Sequence, residues 1–269
     1  MAQLTSGFQF TGSLGQVSAY RMKGSDKIVV RTKGGRSKSL IAKGKQFDVT
    51  RRNNSEFGRR AKASAIVLNA MRSLRPLADY KISAAVNAIL KQIQATDTSS
   101  TFGQRDIYLS RRPGLLEGFS FNRENTFDKA LSAPVYVEVD QIASSVSVVI
   151  PEIVYGTNLR TSSRYPYCCF VVTAACIPDL VWHDHGYHVN VRENTGQTDW
   201  RSVTADAGQQ RVELKYSHAA TSNETLLVSI GLQYGSVSPF GDIVPVNYGC
   251  AKILQAKVIG PGYPELPTK

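Results

Sequence analysis

Apolar positions along this chain recur with a period that changes twice, and the changes divide it into three zones. In the first, residues 6–47, the alternation is twofold, as in Gln16-Val17-Ser18-Ala19-Tyr20-Arg21-Met22-Lys23 and Lys27-Ile28-Val29-Val30-Arg31-Thr32-Lys33. Gly24-Ser25-Asp26 separates these runs, and two period-2 runs joined by a short glycine-containing break predict a β-hairpin. In the second zone, residues 50–95, the spacing lengthens to three and four. Phe57, Ala61, Ser64, Ala65, Leu68, Met71 and Leu74 predict one buried stripe on a helix that Thr50 or Asn53 caps and Pro76 ends near Arg75. Ile82, Val86, Ile89, Leu90 and Ile93 predict a second helix, with Lys81, Asn87, Lys91 and Gln94 on its polar side. The short connection makes the two an αα-hairpin, and Gly58, Ala61, Ala63 and Ala65 are small enough to admit another backbone.

A polar, irregular stretch over residues 97–131 predicts the domain boundary, placed at residues 112/113. Beyond it the twofold period returns at residues 135–139, 145–150, 169–174, 187–192, 211–216, 226–234 and 253–259. Spaced strands broken by Gly, Pro, Asn and Asp predict an antiparallel sandwich or barrel, and we take the sandwich. The expected architecture is α+β: a basic N-terminal β-hairpin plus αα-hairpin over residues 1–112, followed by an antiparallel β-sandwich over residues 113–269.

Charge sharpens this division. Residues 1–112 hold 21 Lys or Arg against 6 Asp or Glu, a net +15, whereas residues 113–269 hold 11 against 15, a net −4. A segment with such an excess repels itself unless an anion or an acidic neighbour lies against it. The stretch from Arg21 to Lys62 alone carries 14 basic and 3 acidic residues. The candidate nucleic-acid or partner contacts are therefore Arg21, Lys23, Arg31, Lys33, Arg36, Lys43, Lys45, Arg51, Arg52, Arg59, Arg60 and Lys62. Odd parity within the two hairpin runs predicts one cationic side bearing Arg21, Lys23, Arg31 and Lys33. The helical arginines and Lys62 fall off the apolar stripe and are expected to face solvent or a ligand. Three readings of this surface stay open: contact with a phosphate backbone, with Tyr20, Phe47 and Phe57 able to stack on bases; contact with an acidic neighbouring subunit; or plain solvation.

Motifs for chemistry are sparse. Lys43-Gly44-Lys45 fails the Walker pattern, which requires Gly where Ser39 stands and Ser or Thr where Gln46 stands. His183-Asp184-His185-Gly186-Tyr187-His188 is the most site-like cluster, because an extended strand would direct His183 and His185 to the same side, where Asp184 or His188 could join them on a metal. The alternative is a loop cluster beside Trp182 and Tyr187; no HExxH helix accompanies it, and His218 stands alone. No nucleophile elbow or cysteine-nucleophile signature is present, so no catalytic residue and no cofactor are expected. The four cysteines lack CxxC spacing, and adjacent Cys168 and Cys169 would point to opposite faces of a strand, which predicts reduced, buried thiols. The apolar stretch from Cys168 to Leu180 is interrupted by Thr173, Pro178 and Asp179, so no membrane span is expected. The first residues lack the basic and apolar regions of a secretory leader, and a cytoplasmic setting follows as the expectation.

Certain segments carry a family resemblance. Gly12-Ser13-Leu14-Gly15-Gln16-Val17-Ser18-Ala19-Tyr20-Arg21, Arg31-Thr32-Lys33-Gly34-Gly35 and Arg51-Arg52-Asn53-Asn54-Ser55-Glu56-Phe57-Gly58-Arg59-Arg60-Ala61-Lys62-Ala63 resemble a family of uncharacterised proteins from Bacteroidota. Leu115-Leu116-Glu117-Gly118-Phe119-Ser120-Phe121-Asn122 and Ala133-Pro134 are similar too. The resemblance is clearest over the first half, implies a bacterial cytoplasmic setting, and brings no activity and no functional residues with it. The sequence thus predicts a non-enzymatic structural protein that self-assembles through its basic N-terminal half, with DNA or RNA as a further partner. The alternatives are a nucleic-acid-binding monomer or small oligomer, and a metal-dependent enzyme built on His183 and His185.

Overall fold

The structure, a computed structural model, describes residues 2–4, 10–22, 26–162, 164–217 and 223–260. The chain is α+β and separates into two compact units, Met1–Arg52 and Asn53–Lys269. The boundary expected at residues 112/113 falls inside the second unit. Residues 53–112 belong there because the apolar sides of their helices enter the same core as the later strands.

In the first unit, β1 (Ala2–Leu4), β2 (Gly12–Leu14), β3 (Val17–Arg21) and β4 (Ile28–Thr32) form an antiparallel sheet in the order β1-β4-β3-β2. β3 pairs with β4 so that Tyr20 lies opposite Val29 and Arg21 opposite Ile28. A short helix, α1 (Lys38–Lys43), follows; the Ser37 hydroxyl caps it by accepting the Leu40 N–H at 3.3 Å.

The unit boundary lies within α2 (Asp48–Asn69), which is followed by α3 (Ser83–Gln94) and the single turn α4 (Phe127–Ala130). α2 stops before the expected end at Arg75, and Pro76 sits in a separate 3-10 turn, Arg75–Leu77, where its missing N–H leaves no bond unmade. The buried stripe of α2 also differs from the expected one. Its residues are Glu56, Arg60, Ala63, Ser64, Val67 and Leu68, while Phe57, Ala61 and Ala65 are exposed.

Among the described residues eight strands complete the unit: β5 (Tyr136–Asp140), β6 (Ser145–Ile150), β7 (Tyr167–Pro178), β8 (Asn194–Gln197), β9 (Arg201–Ser202), β10 (Gln210–Lys215), β11 (Glu224–Val237) and β12 (Ile243–Ile259). The strand expected at residues 187–192 is not regular structure, and β8 begins just after it. One sheet runs β10-β6-β5; the other runs β12-β11-β7-β8, with β9 also pairing β7. Val146, Val148 and Ile150 of β6 and Val212 and Leu214 of β10 share an apolar cluster with Phe170, Val172, Leu226, Val228 and Ile230. On the opposite face of the larger sheet, Cys169, Val171, Ala175 and Leu227 pack with Val67, Met71, Leu74, Val86 and Leu90. The unit is therefore layered helices, five-stranded sheet, three-stranded sheet. All four cysteines are free and buried, and Cys168 and Cys169 enter the two different clusters, as alternation along a strand requires.

Two glycines test this packing in opposite directions. A Cβ on Gly249 would lie 2.1 Å from the Leu232 carbonyl oxygen, which is backbone in a paired strand, whereas a Cβ on Gly58 in α2 would meet nothing within 4 Å. In urea unfolding, Gly249→Ala is expected to lose about 2 kcal/mol through overpacking. Gly58→Ala should gain about 0.5–1 kcal/mol, because alanine is the better helix former. An unchanged midpoint for Gly249→Ala would contradict the close β11–β12 approach.

Candidate nucleic-acid or partner interface

Among the described residues of the first unit, the buried apolar side chains are Ala19, Ile28 and Val29. Leu14 is 67% exposed and Val49 61%, and Tyr20, Met22 and Leu40 are exposed as well. Residues 1–52 hold 11 Lys or Arg against Asp26 and Asp48, so +9 of the chain's net +11 resides here. The expected single cationic side is corrected by the register. Because Arg21 lies opposite Ile28 and Arg31 opposite Ser18, the two arginines project from opposite faces of the β3–β4 ribbon. Arg31 lies over the Tyr20 ring at 5.6 Å, and Arg21 pairs loosely with exposed Asp26 at 3.9 Å. Lys33, Arg36, Lys43 and Lys45 are exposed, with no side-chain hydrogen bond or ion pair among the described residues. Lys23 lies outside the described residues.

Arg51 and Arg52 are partly committed. Arg51 donates to the carbonyls of Ile41 and Gly44, both at 2.8 Å, and so satisfies acceptors at the C-terminal end of α1. Arg52 pairs with Asp48 at 2.8 Å, one helical turn back.

The three basic residues further along α2 do not form a free cationic face. Arg59 pairs with Asp106 at 3.3 Å, with both side chains 13% exposed, and donates to the Gln104 carbonyl at 2.6 Å. Its guanidinium lies 4.9 Å from the Trp182 ring centre, and the Lys62 ammonium lies 4.6 Å from the same ring. Lys62 also donates to the His185 carbonyl at 2.7 Å. These contacts clamp α2 to the segment after β7. Arg60, expected at the surface, is buried, with 8% of its area exposed.

Arg60 belongs to a buried polar network that the apolar periodicity did not signal. Glu56, 2% exposed, accepts two bonds from Arg105 at 2.6 and 2.7 Å and one from the Gly103 N–H at 3.0 Å. Arg60 lies 3.7 Å from Glu56 and donates to Gln94 at 2.6 Å; Gln94 in turn donates to the Arg105 carbonyl at 2.8 Å. The i,i+4 spacing of Glu56 and Arg60 was the available signal. Burial pushes the Glu56 carboxyl up, but the Arg105 and Gly103 bonds and the charges of Arg105 and Arg60 outweigh it and hold the group below its ordinary 4.5. Asp97 behaves alike: burial raises it, and bonds from Ser99, Asp106 and Ser100 hold it far below 3.8.

Beside the network is a cleft of about 460 Å³ lined by Arg60, Lys91, Arg105, Phe57, Phe102 and Glu56, with Asn53 and Asn54 on its wall. A larger cleft of about 740 Å³ lies between α4 and the β11–β12 pair, floored by Tyr234 and Tyr248 and edged by Lys129, Arg160 and Asp128. The histidine cluster forms a tight turn in which His183 and Gly186 exchange backbone bonds at 3.0 and 2.9 Å. His183 and His188, rather than His183 and His185, bring their rings together, 6.4 Å apart. Among the described residues no three His, Cys, Asp or Glu side chains converge as metal ligands. His218 lies outside the described residues. Compared with family models, curated proteins and solved structures, the chain matches none.

Both buried carboxylates have depressed values when folded, so their stabilisation is complete above their ordinary values and is lost as pH falls through 4.5 toward the folded values. The thermal midpoint should hold above about pH 5 and fall steadily below it. Glu56→Gln leaves two arginines uncompensated and should cost about 3 kcal/mol or more at neutral pH, with a shallower acid dependence. A variant as stable as the parent would remove the network from any structural role.

Proposed function

We propose that the protein is a non-enzymatic structural protein that self-assembles through its basic first unit, and that the same unit takes nucleic acid as a second partner. The observation that carries this reading is the composition of residues 1–52: net +9, three buried apolar side chains among the described residues, and five large apolar ones exposed. A unit of this size buries too little surface to be stable alone unless a disulfide, a metal or another chain supports it. It contains no cysteine. Leu14 and Tyr20 project from opposite faces of the sheet, so neighbouring subunits laid against both faces supply the missing burial, and the edge strands β1 and β2 offer backbone groups for strand addition. Within this reading, the face-to-face sheets of the second unit are a β-sandwich that the basic unit links into an assembly.

Charge adds the second partner. Lys33, Arg36, Lys43 and Lys45 are exposed and have no ion pair among the described residues, and the ribbon bears arginines on both faces, so a flexible phosphate backbone finds cations from either side. Such contact releases counterions and weakens steeply with salt.

Sedimentation velocity of the full chain should show oligomers that grow with concentration, and Leu14→Asp with Tyr20→Ser should shift them toward monomer. Nucleic acid absorbing at 260 nm should accompany the protein at low salt and be shed at high salt, with Arg36→Glu and Lys45→Glu reducing it. A monomer at every concentration would overturn the assembly reading.

A further inference from the structure

The 460 Å³ cleft of the second unit joins cationic and aromatic side chains on one lining. Lys91, Arg60 and Arg105 place three cations on its lining against one carboxylate, Glu56. That carboxylate and Arg105 neutralise one another, so the excess positive charge of the lining is that of Arg60 and Lys91. The arginines are partly dehydrated, which strengthens their attraction for anionic oxygen over that of a solvated lysine. The remaining lining is aromatic. Phe57 is 59% exposed and Phe102 38%, an unusual cost for two phenyl rings unless they serve contact. Guanidinium groups lie toward each ring, Arg60 at 5.9 Å from Phe57 and Arg105 at 5.3 Å from Phe102.

We propose that this cleft takes one nucleotide unit of a single-stranded nucleic acid, its phosphate held by the cations and its base stacked against the phenyl rings. Every base has a π-face and every nucleotide a phosphate, so one ligand satisfies both halves of the lining. An acidic peptide would meet the cations and leave the rings in water. A duplex keeps its bases stacked on one another and cannot offer them. Exposed Asn53 and Asn54 add amide groups able to donate to and accept from a base edge. The volume lies within the range of about 300–1,000 Å³ typical of small-ligand clefts. The site does not rest on the assembly proposed above, since all of its residues lie in the second unit.

The test is fluorescence anisotropy of the full chain with a labelled thymidine tetranucleotide, too short to engage many separate cations. Phe57→Ala and Phe102→Ala should each weaken binding about fivefold or more, the loss expected of one stacked base. Lys91→Glu should weaken it at least as much, while Arg36→Glu, in the first unit, should change it by less than about twofold. Both phenylalanines are exposed, so circular dichroism melts should stay near those of the parent. No binding, parental affinity in both phenylalanine variants, or equal competition by inorganic phosphate, an oligoglutamate peptide or a blunt hairpin duplex would overturn the proposal.

Discussion

Strands β7 and β11 are buried on both faces, so neither side of the sheet they centre can be left to water. From Cys168 to Ile177 every residue of β7 is buried, and β11 is nearly as enclosed. Both faces therefore require a covering layer, and the chain supplies two different ones, α2 and α3 on one side and the β5–β6–β10 sheet on the other. The helix-facing surface is kept shallow by small residues. Gly231 is where Leu74 and Leu77 come closest, and a Cβ there would lie 2.8 Å from both. The cysteines serve the same packing. Burial pushes the thiols of Cys169 and Cys176 up to about 12, so they remain protonated and fill space rather than act as nucleophiles.

That sheet fixes where α2 can lie, and the start of the helix shows what happens where its apolar cover gives out. Val67 reaches the core, but the same side of the helix two and three turns earlier holds Arg60 and Glu56. There the partner is the polar segment around Gly103 and Arg105 instead of a strand. Burial is tolerable because Glu56 collects three strong bonds and Arg60 finds Gln94. The consequence is that Phe57, displaced from the buried side, stands at the rim of a cationic cleft.

This substitution marks the limit of what periodicity could reveal. The second helix was legible, since Val86, Leu90 and Ile93 are buried as the spacing required, and so were strands with a continuous apolar run such as β7 and β11. Phe57, Ala61 and Ala65 misled because a three-and-four pattern is satisfied equally by a stripe displaced by one residue, and nothing local says which stripe faces a partner distant in sequence. For residues 182–188 the sequence allowed either a strand directing His183 and His185 to one side or a loop cluster beside Trp182 and Tyr187, and the turn at Gly186 with the Arg59 and Lys62 contacts on Trp182 gives the loop. Charge parity on the hairpin failed for a related reason. Which residues share a face depends on the register between strands, and the turn that sets it cannot be read from either strand alone.

The charge asymmetry resolves into two physically different populations once the side chains are placed. Cations on the second unit's helix are engaged within the fold, Arg59 by Asp106 and the Trp182 ring and Arg60 by Glu56 and Gln94, and their removal would be felt as lost stability. Cations on the first unit have only Asp26 and Asp48 for opposite charge. Self-repulsion there is not offset by a core among the described residues, because burial of Ala19, Ile28 and Val29 is small against the roughly 1–2 kcal/mol per residue that ordering the backbone costs. Repulsion and exposed apolar surface together call for a partner that is at once apolar in part and anionic in part. In the function proposed above, a neighbouring subunit would provide the first property and a phosphate backbone the second, so that assembly and nucleic-acid contact would not compete.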